Sequence, residues 1–196
     1  MDRRKGQGRI MATMARSMKD DIAEVLFTER QLADIVKEMG ARISRDYEGK
    51  NLVMVSVLKG SLIFMADLMR EITIPCSIDF LSVSSYGSGT TTTGEVRILK
   101  DLDATLEGKD LLVVEDILDS GVSLSFLLKN LSARHPQSIR LCTLLDKPER
   151  RRVDIHPDYV GAQVPDKFIV GYGLDYAEKY RNLPYIGVLK PEIYAD

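Results

Sequence analysis

Leu32, Ile35, Val36, Met39 and Ile43 recur at helical spacing, and Thr28 and Gln31 ahead of them have capping-box spacing, so a helix is predicted over 29–46. Its apolar stripe needs a surface to cover. The run Leu52-Val53-Met54-Val55-Ser56-Val57-Leu58 supplies one, since near-continuous apolarity marks a parallel strand covered on both faces. Lys59-Gly60-Ser61 breaks that strand. A second helix is expected over 61–71 with Leu62, Met65, Leu68 and Met69 inward, and after Pro75 a strand over 77–84.

The segment from Tyr86 to Gly94 is polar, threonine-rich and glycine-bearing. It is too long for a tight turn, which leaves a lid or a disordered loop. Strands over 95–100, 111–114 and 139–145, with a helix over 122–133 whose Leu124, Leu127, Leu128 and Leu131 share a face, complete an alternating α/β core. Beyond Lys147 the pattern changes to short strands and turns punctuated by prolines, as expected of a small C-terminal subdomain. Residues 1–20 are basic and weakly apolar and read as a disordered tail, leaving 21–196 as one domain.

Charge and composition narrow the function without choosing it. With 27 basic and 29 acidic residues in 196, the formal net charge is -2, which offers no global attraction for nucleic acid. No apolar stretch approaches the roughly 18 residues of a membrane span. Cys76 and Cys142 lie in strand-like apolar runs without metal-site spacing and read as buried thiols. A soluble, cytoplasmic protein is the expectation.

The chemistry concentrates after the strand at 111–114, where Glu115-Asp116, Ile117-Leu118 and Asp119-Ser120-Gly121 lead into a helix. In an open parallel sheet ligands gather at the carboxyl ends of strands. The following helix start offers unpaired N–H groups, so Ser120, Gly121, Val122 and Ser123 form a candidate phosphate cradle. Three carboxylates beside an anion site are contradictory unless the ligand also brings hydroxyls or a hard cation such as Mg²⁺. A phosphorylated sugar with metal satisfies every group. A generic acidic turn, as in receiver domains, is the competing local reading.

This segment resembles the phosphoribosyl diphosphate (PRPP) binding motif of the type I phosphoribosyltransferases, and its Glu-Asp opening resembles their 6-oxopurine branch. The resemblance extends over about 22–194. It implies a mostly parallel sheet flanked by helices with a C-terminal hood, and transfer of phosphoribose from PRPP to hypoxanthine or guanine. The products would be IMP or GMP and pyrophosphate, with Mg²⁺ as cofactor and a homodimer or homotetramer as the assembly.

Residue by residue, the resemblance implies that Glu115 and Asp116 lie beside the ribose hydroxyls, directly or through Mg²⁺, and that Asp119 serves the base as catalytic carboxylate. Lys59 and Gly60, in a loop that often has a cis Leu-Lys peptide, and Arg181 would hold pyrophosphate. Ser85 and Tyr86 would begin the lid. Lys147 would read the purine's C6 oxygen, Phe168 would stack on the ring, the Ile169 backbone would read its edge, and Asp175 would ligate a second Mg²⁺. Without the resemblance, Lys147 is a surface lysine, Phe168 and Ile169 are core residues, and Asp175 is a turn acid. Glu149-Arg150-Arg151-Arg152 reads as a solvated charged turn. A PRPP-sensing regulator and a receiver-like binding module are the alternatives to an enzyme.

Overall fold

The structure, a computed structural model, describes residues 17–85 and 96–195. Its centre is the apolar strand β2 (Leu52–Leu58), with β3 (Cys76–Ser85) on one side and β5 (Asp110–Leu118) on the other, both parallel to it. Beyond β5 lie β6 (Ser138–Asp146) and β7 (Tyr159–Gln163), also parallel. Antiparallel β4 (Val96–Lys100) closes the other edge, so the six-stranded order is β4-β3-β2-β5-β6-β7.

Apolar runs suit these strands because both faces are covered. Leu112 and Val114 pack toward α1 (Glu29–Asp46) and α2 (Leu62–Glu71), while Leu111 and Val113 pack toward α3 (Val122–Ser132). The predicted bounds of α1 and β2 coincide with the observed ones. At the start of α1, Gln31 N–H donates to Thr28 Oγ1 at 3.3 Å and Thr28 N–H donates to Gln31 Oε1 at 2.9 Å, the reciprocal capping box. Replacing Thr28 by Ala is expected to cost about 1 kcal/mol. Urea unfolding followed by circular dichroism should show the lower midpoint with an unaltered slope.

Several expectations need correction. Leu62 is 46% exposed in the first turn of α2, and Phe64 takes the inward place beside Met65 and Leu68; the helix begins at Leu62, one residue later than expected. Cys142 is buried but Cys76 is only half-buried at the start of β3. The strand expected to stop at Val114 runs on to Leu118, so Glu115 and Asp116 lie within β5, held extended by β6 through Glu115↔Thr143 and Leu118↔Asp146. Residues 18–21 form a 3-10 turn capped by Ser17, so the expected tail overlaps ordered backbone there; residues 1–16 and Glu95 lie outside the described residues.

The hood is also differently composed. A three-stranded sheet joins β1 (Ile22–Phe27), β9 (Ile186–Leu189) and β8 (Ile169–Val170), all antiparallel, so an N-terminal strand completes it. Strand β7, expected in the C-terminal subdomain, instead extends the main sheet. Among the described residues no helix is long and apolar enough to cross a membrane.

Candidate active site

The chain winds from β2 outward to β3 and from β5 outward to β7, so the order reverses between β2 and β5. Their carboxyl ends therefore open a crevice at the switch point of the sheet. From β2 comes Leu58-Lys59-Gly60-Ser61, whose Leu58-Lys59 peptide is cis, as the family resemblance implied. From β5 come Glu115 through Gly121.

The two loops touch. A Cβ on Gly60 would overlap Asp116 Oδ2, so only glycine lets the first loop lie against that carboxylate. Gly173, at φ +102, packs on the other side, where a Cβ would overlap the Gly60 carbonyl oxygen. Arg181 braces this stack by donating from Nη1 to Gly173 O at 2.8 Å and pairing through Nη2 with Asp175 Oδ1 at 2.9 Å. Lys59 Nζ reaches Glu178 at 3.0 Å on the exposed rim.

Glu115 and Asp116 sit at the base of the crevice, and neither has a salt-bridge partner among the described residues. Burial and the neighbouring Asp116 charge push the Glu115 carboxyl well above the usual carboxylate range. Burial raises Asp116 to about 6, against the Ile117 N–H bond and the Arg181 charge, which favour its ionised form. Ile117 N–H holds Asp116 Oδ1 at 2.8 Å.

At the start of α3, Gly121 takes the left-handed φ of +78 that the sharp turn needs and has no side chain to cap the helix, while Val122 N–H makes a long bond to Ser120 Oγ at 3.5 Å. Ser120, Gly121 and Ser123 line a small pocket of about 180 Å³ together with Glu115 and Asp119, while Val122 opens the helix. Asp119 also lines a second pocket of about 450 Å³, with Lys147, Arg150, Asp166, Phe168, Ile169, Asp175 and Tyr194. Asp119 Oδ1 pairs with Arg150 Nε at 2.9 Å, and Arg150 continues to Asp166 at 3.2 Å.

Lys147 is not a surface lysine: it is 7% exposed, donates from Nζ to Lys167 O at 2.7 Å, and burial lowers its pKa. Phe168 is 37% exposed, stacked on Tyr194 at 4.8 Å and edge-on to Tyr176 at 5.5 Å. Ile169 is buried at the start of β8. The backbone of Ser85 ends β3, and Tyr86 lies outside the described residues.

Sequence reading overlooked four contributors: Gly173, Tyr194, Arg150 and Arg151. The charged turn expected over 149–152 is exposed at Glu149, Arg150 and Arg152, but Arg151 departs from it: its side chain is 15% exposed and donates to the Leu118 and Asp119 carbonyls and to Asp146. A glycine after Tyr172 was the one local signal for Gly173.

The glycine turn opening α3, half-buried carboxylates and a pocket with an aromatic wall thus gather at the sheet's switch point, where open α/β sheets bind ligands. Residues 23–177 match the phosphoribosyl transferase domain family. A hypoxanthine-guanine phosphoribosyltransferase of Staphylococcus aureus is 54% identical over 179 residues, 91% of this chain and 100% of that protein. The crystal structure of a Staphylococcus aureus hypoxanthine phosphoribosyltransferase superimposes with a TM-score of 0.90 at 53% identity, covering 93% of this chain and 100% of that one. A hypoxanthine-guanine phosphoribosyltransferase from Bacillus anthracis, with a HEPES molecule in its active site, gives 0.83 at 53% identity over 86% and 99% of the two chains. The chain belongs to the phosphoribosyltransferase family and, within it, to the hypoxanthine-guanine phosphoribosyltransferases.

Proposed function

We propose that the chain is a purine-salvage enzyme that moves the 5-phosphoribosyl group of PRPP onto hypoxanthine, and also onto guanine, giving IMP or GMP and pyrophosphate. One observation carries this reading. Asp119 lines both the pocket of the phosphate loop and the pocket of Lys147 and Phe168, which puts a single carboxylate where sugar and base would meet.

In the reaction the bond from the anomeric carbon to pyrophosphate oxygen breaks and a bond to the purine's imidazole nitrogen forms. Positive charge develops on the ribose ring meanwhile, and Glu115 and Asp116 would offer it negative neighbours once a cation beside them offsets the burial that raises their pKa. Asp119 takes or holds the proton at N7. Ser120, Gly121, Val122 and Ser123 bind the 5'-phosphate, and Lys59, Gly60 and Arg181 bind pyrophosphate.

Phe168 stacks on the purine, and the Ile169 backbone reads its edge. Lys147 donates to the C6 oxygen; its ammonium has three donors, of which Lys167 O occupies one. Adenine, whose C6 group is itself a donor, is rejected there. Accordingly, K147M should raise the KM for hypoxanthine about 10- to 100-fold while changing that for PRPP much less, as steady-state kinetics would measure.

Mg²⁺ fits the donors present. Glu115 and Asp116 are hard oxygen ligands destabilised by burial without a cation beside them, and Asp175 lies by the pyrophosphate loop. Among the described residues no cluster of three or more ligating side chains occurs. When bound, Mg²⁺ would neutralise charge on pyrophosphate. The chain is further proposed to work in the cytoplasm as a homodimer or homotetramer, without nucleic acid or membrane partners.

The test is direct. Purified protein given PRPP, Mg²⁺ and hypoxanthine should release pyrophosphate and form IMP. Release from none of hypoxanthine, guanine or xanthine would sink the proposal.

A further inference from the structure

The segment 147–153 clasps the phosphate loop, and Arg151 is the centre of the clasp. Its guanidinium donates to Leu118 O at 3.1 Å and to Asp119 O, and its second terminal nitrogen binds the Asp146 carboxylate at the end of β6. Two backbone bonds complete the clasp, from Lys147 N–H to Leu118 O at 2.9 Å and from Arg152 N–H to Ser120 O at 3.0 Å. The stem of Arg151 lies against Gly121, with Val153 and Ile155 beside it.

A peptide unit is planar and trans, so fixing one carbonyl fixes the next residue's N–H in the opposite direction. Holding the carbonyls of 118, 119 and 120 therefore aims the N–H groups of Asp119, Ser120 and Gly121 away from the clasp. Among the described residues those three groups donate no bond to a turn, loop or side-chain acceptor. A carbonyl turned the other way would present negative charge to an incoming phosphate dianion. Among the described side chains, only Arg151 holds two of these carbonyls at once.

We propose that Arg151 is a positioning residue for the 5'-phosphate of PRPP: through the Leu118 and Asp119 carbonyls it orients the loop's N–H donors, with Asp146 anchoring the guanidinium. This rests on the PRPP reading of the site, and it makes the cost of losing Arg151 fall on the phosphosugar rather than on the purine. R151M keeps the apolar stem against Gly121 and removes the donors. It should raise the KM for PRPP and the Kd for ribose 5-phosphate about 10- to 100-fold, with the KM for hypoxanthine changing far less. R151K, able to hold one carbonyl, should fall between. Added guanidinium ion should restore part of the PRPP affinity of R151A, which a purely structural role would not allow.

Steady-state kinetics and calorimetry with ribose 5-phosphate, alongside melting temperature, make the test. Absence of turnover in the wild type fails the functional reading itself. Wild-type turnover together with an unaltered PRPP KM in R151M overturns this inference, as does loss of affinity for PRPP and hypoxanthine in equal proportion. If R151M does not fold, R151K and D146N decide: a raised PRPP KM in both supports the proposal, and an unaltered one in either overturns it.

Discussion

D119N should lower kcat about 100- to 10,000-fold, the range a single positioned acid–base group contributes, while PRPP still binds. Asn matches Asp in shape and gives up only the ion pair with Arg150, now 2.9 Å from the carboxylate and also paired with Asp166, so the pocket's walls should stay in place. What it cannot do is take the purine's proton at neutral pH. The 5'-phosphate would be held by backbone N–H groups of 120–123, which the substitution leaves untouched. Kd for PRPP by calorimetry should therefore remain within a few-fold of wild type. Single-turnover rates would separate the slowed chemical step from product release. Wild-type turnover in D119N would remove Asp119 from its role. Loss of PRPP affinity to the same degree as turnover would show instead that the side chain's charge mainly organises the loop.

Much of the frame was legible because its physics is local. α1 announces itself through a capping box and an apolar stripe, and β2 through seven residues with almost no polar interruption. Non-local features were not legible. β1 has only partly buried or exposed residues and shows no clean alternation, since it is defined by pairing with β9 at the opposite end of the chain, Ile22 against Leu189. β5 outruns its apolar stretch because β6 continues the ladder past Glu115, and a polar residue in sequence gives no sign of that neighbour.

The site divides the same way. Residues of the phosphate loop are contiguous and bear a motif, so they could be named from sequence, whereas Arg151 sits in a charged run that normally signals a solvated turn. Two of its three acceptors are backbone carbonyls, which every residue carries and no sequence displays. Lys147 became visible only through family resemblance, because its burial arises from the hood segment around Lys167 folding back over the end of β6.

G60A should be the most damaging single methyl group in the crevice. The added carbon would fall on Asp116 Oδ2, and that carboxylate has little freedom to retreat because Ile117 N–H holds its other oxygen at 2.8 Å. The opposite side offers no room, since Gly173 already packs on the Gly60 carbonyl at a φ of +102 that a side chain would strain. Either the carboxylate leaves its place in the crevice, proposed to face the ribose hydroxyls, or the 58–61 loop, proposed to hold pyrophosphate, lifts off the sheet. Both outcomes misplace groups on opposite sides of the bond that breaks, and misplacement by about 1 Å can cost about 100-fold in rate. kcat/KM for PRPP should thus fall at least about 100-fold in G60A. The melting temperature should fall far less, because the overlap involves a crevice carboxylate and not the apolar clusters on either face of the sheet. Kinetics near wild type would mean that Asp116 is free to move, and with it that the carboxylate's present position is not the one the reaction uses.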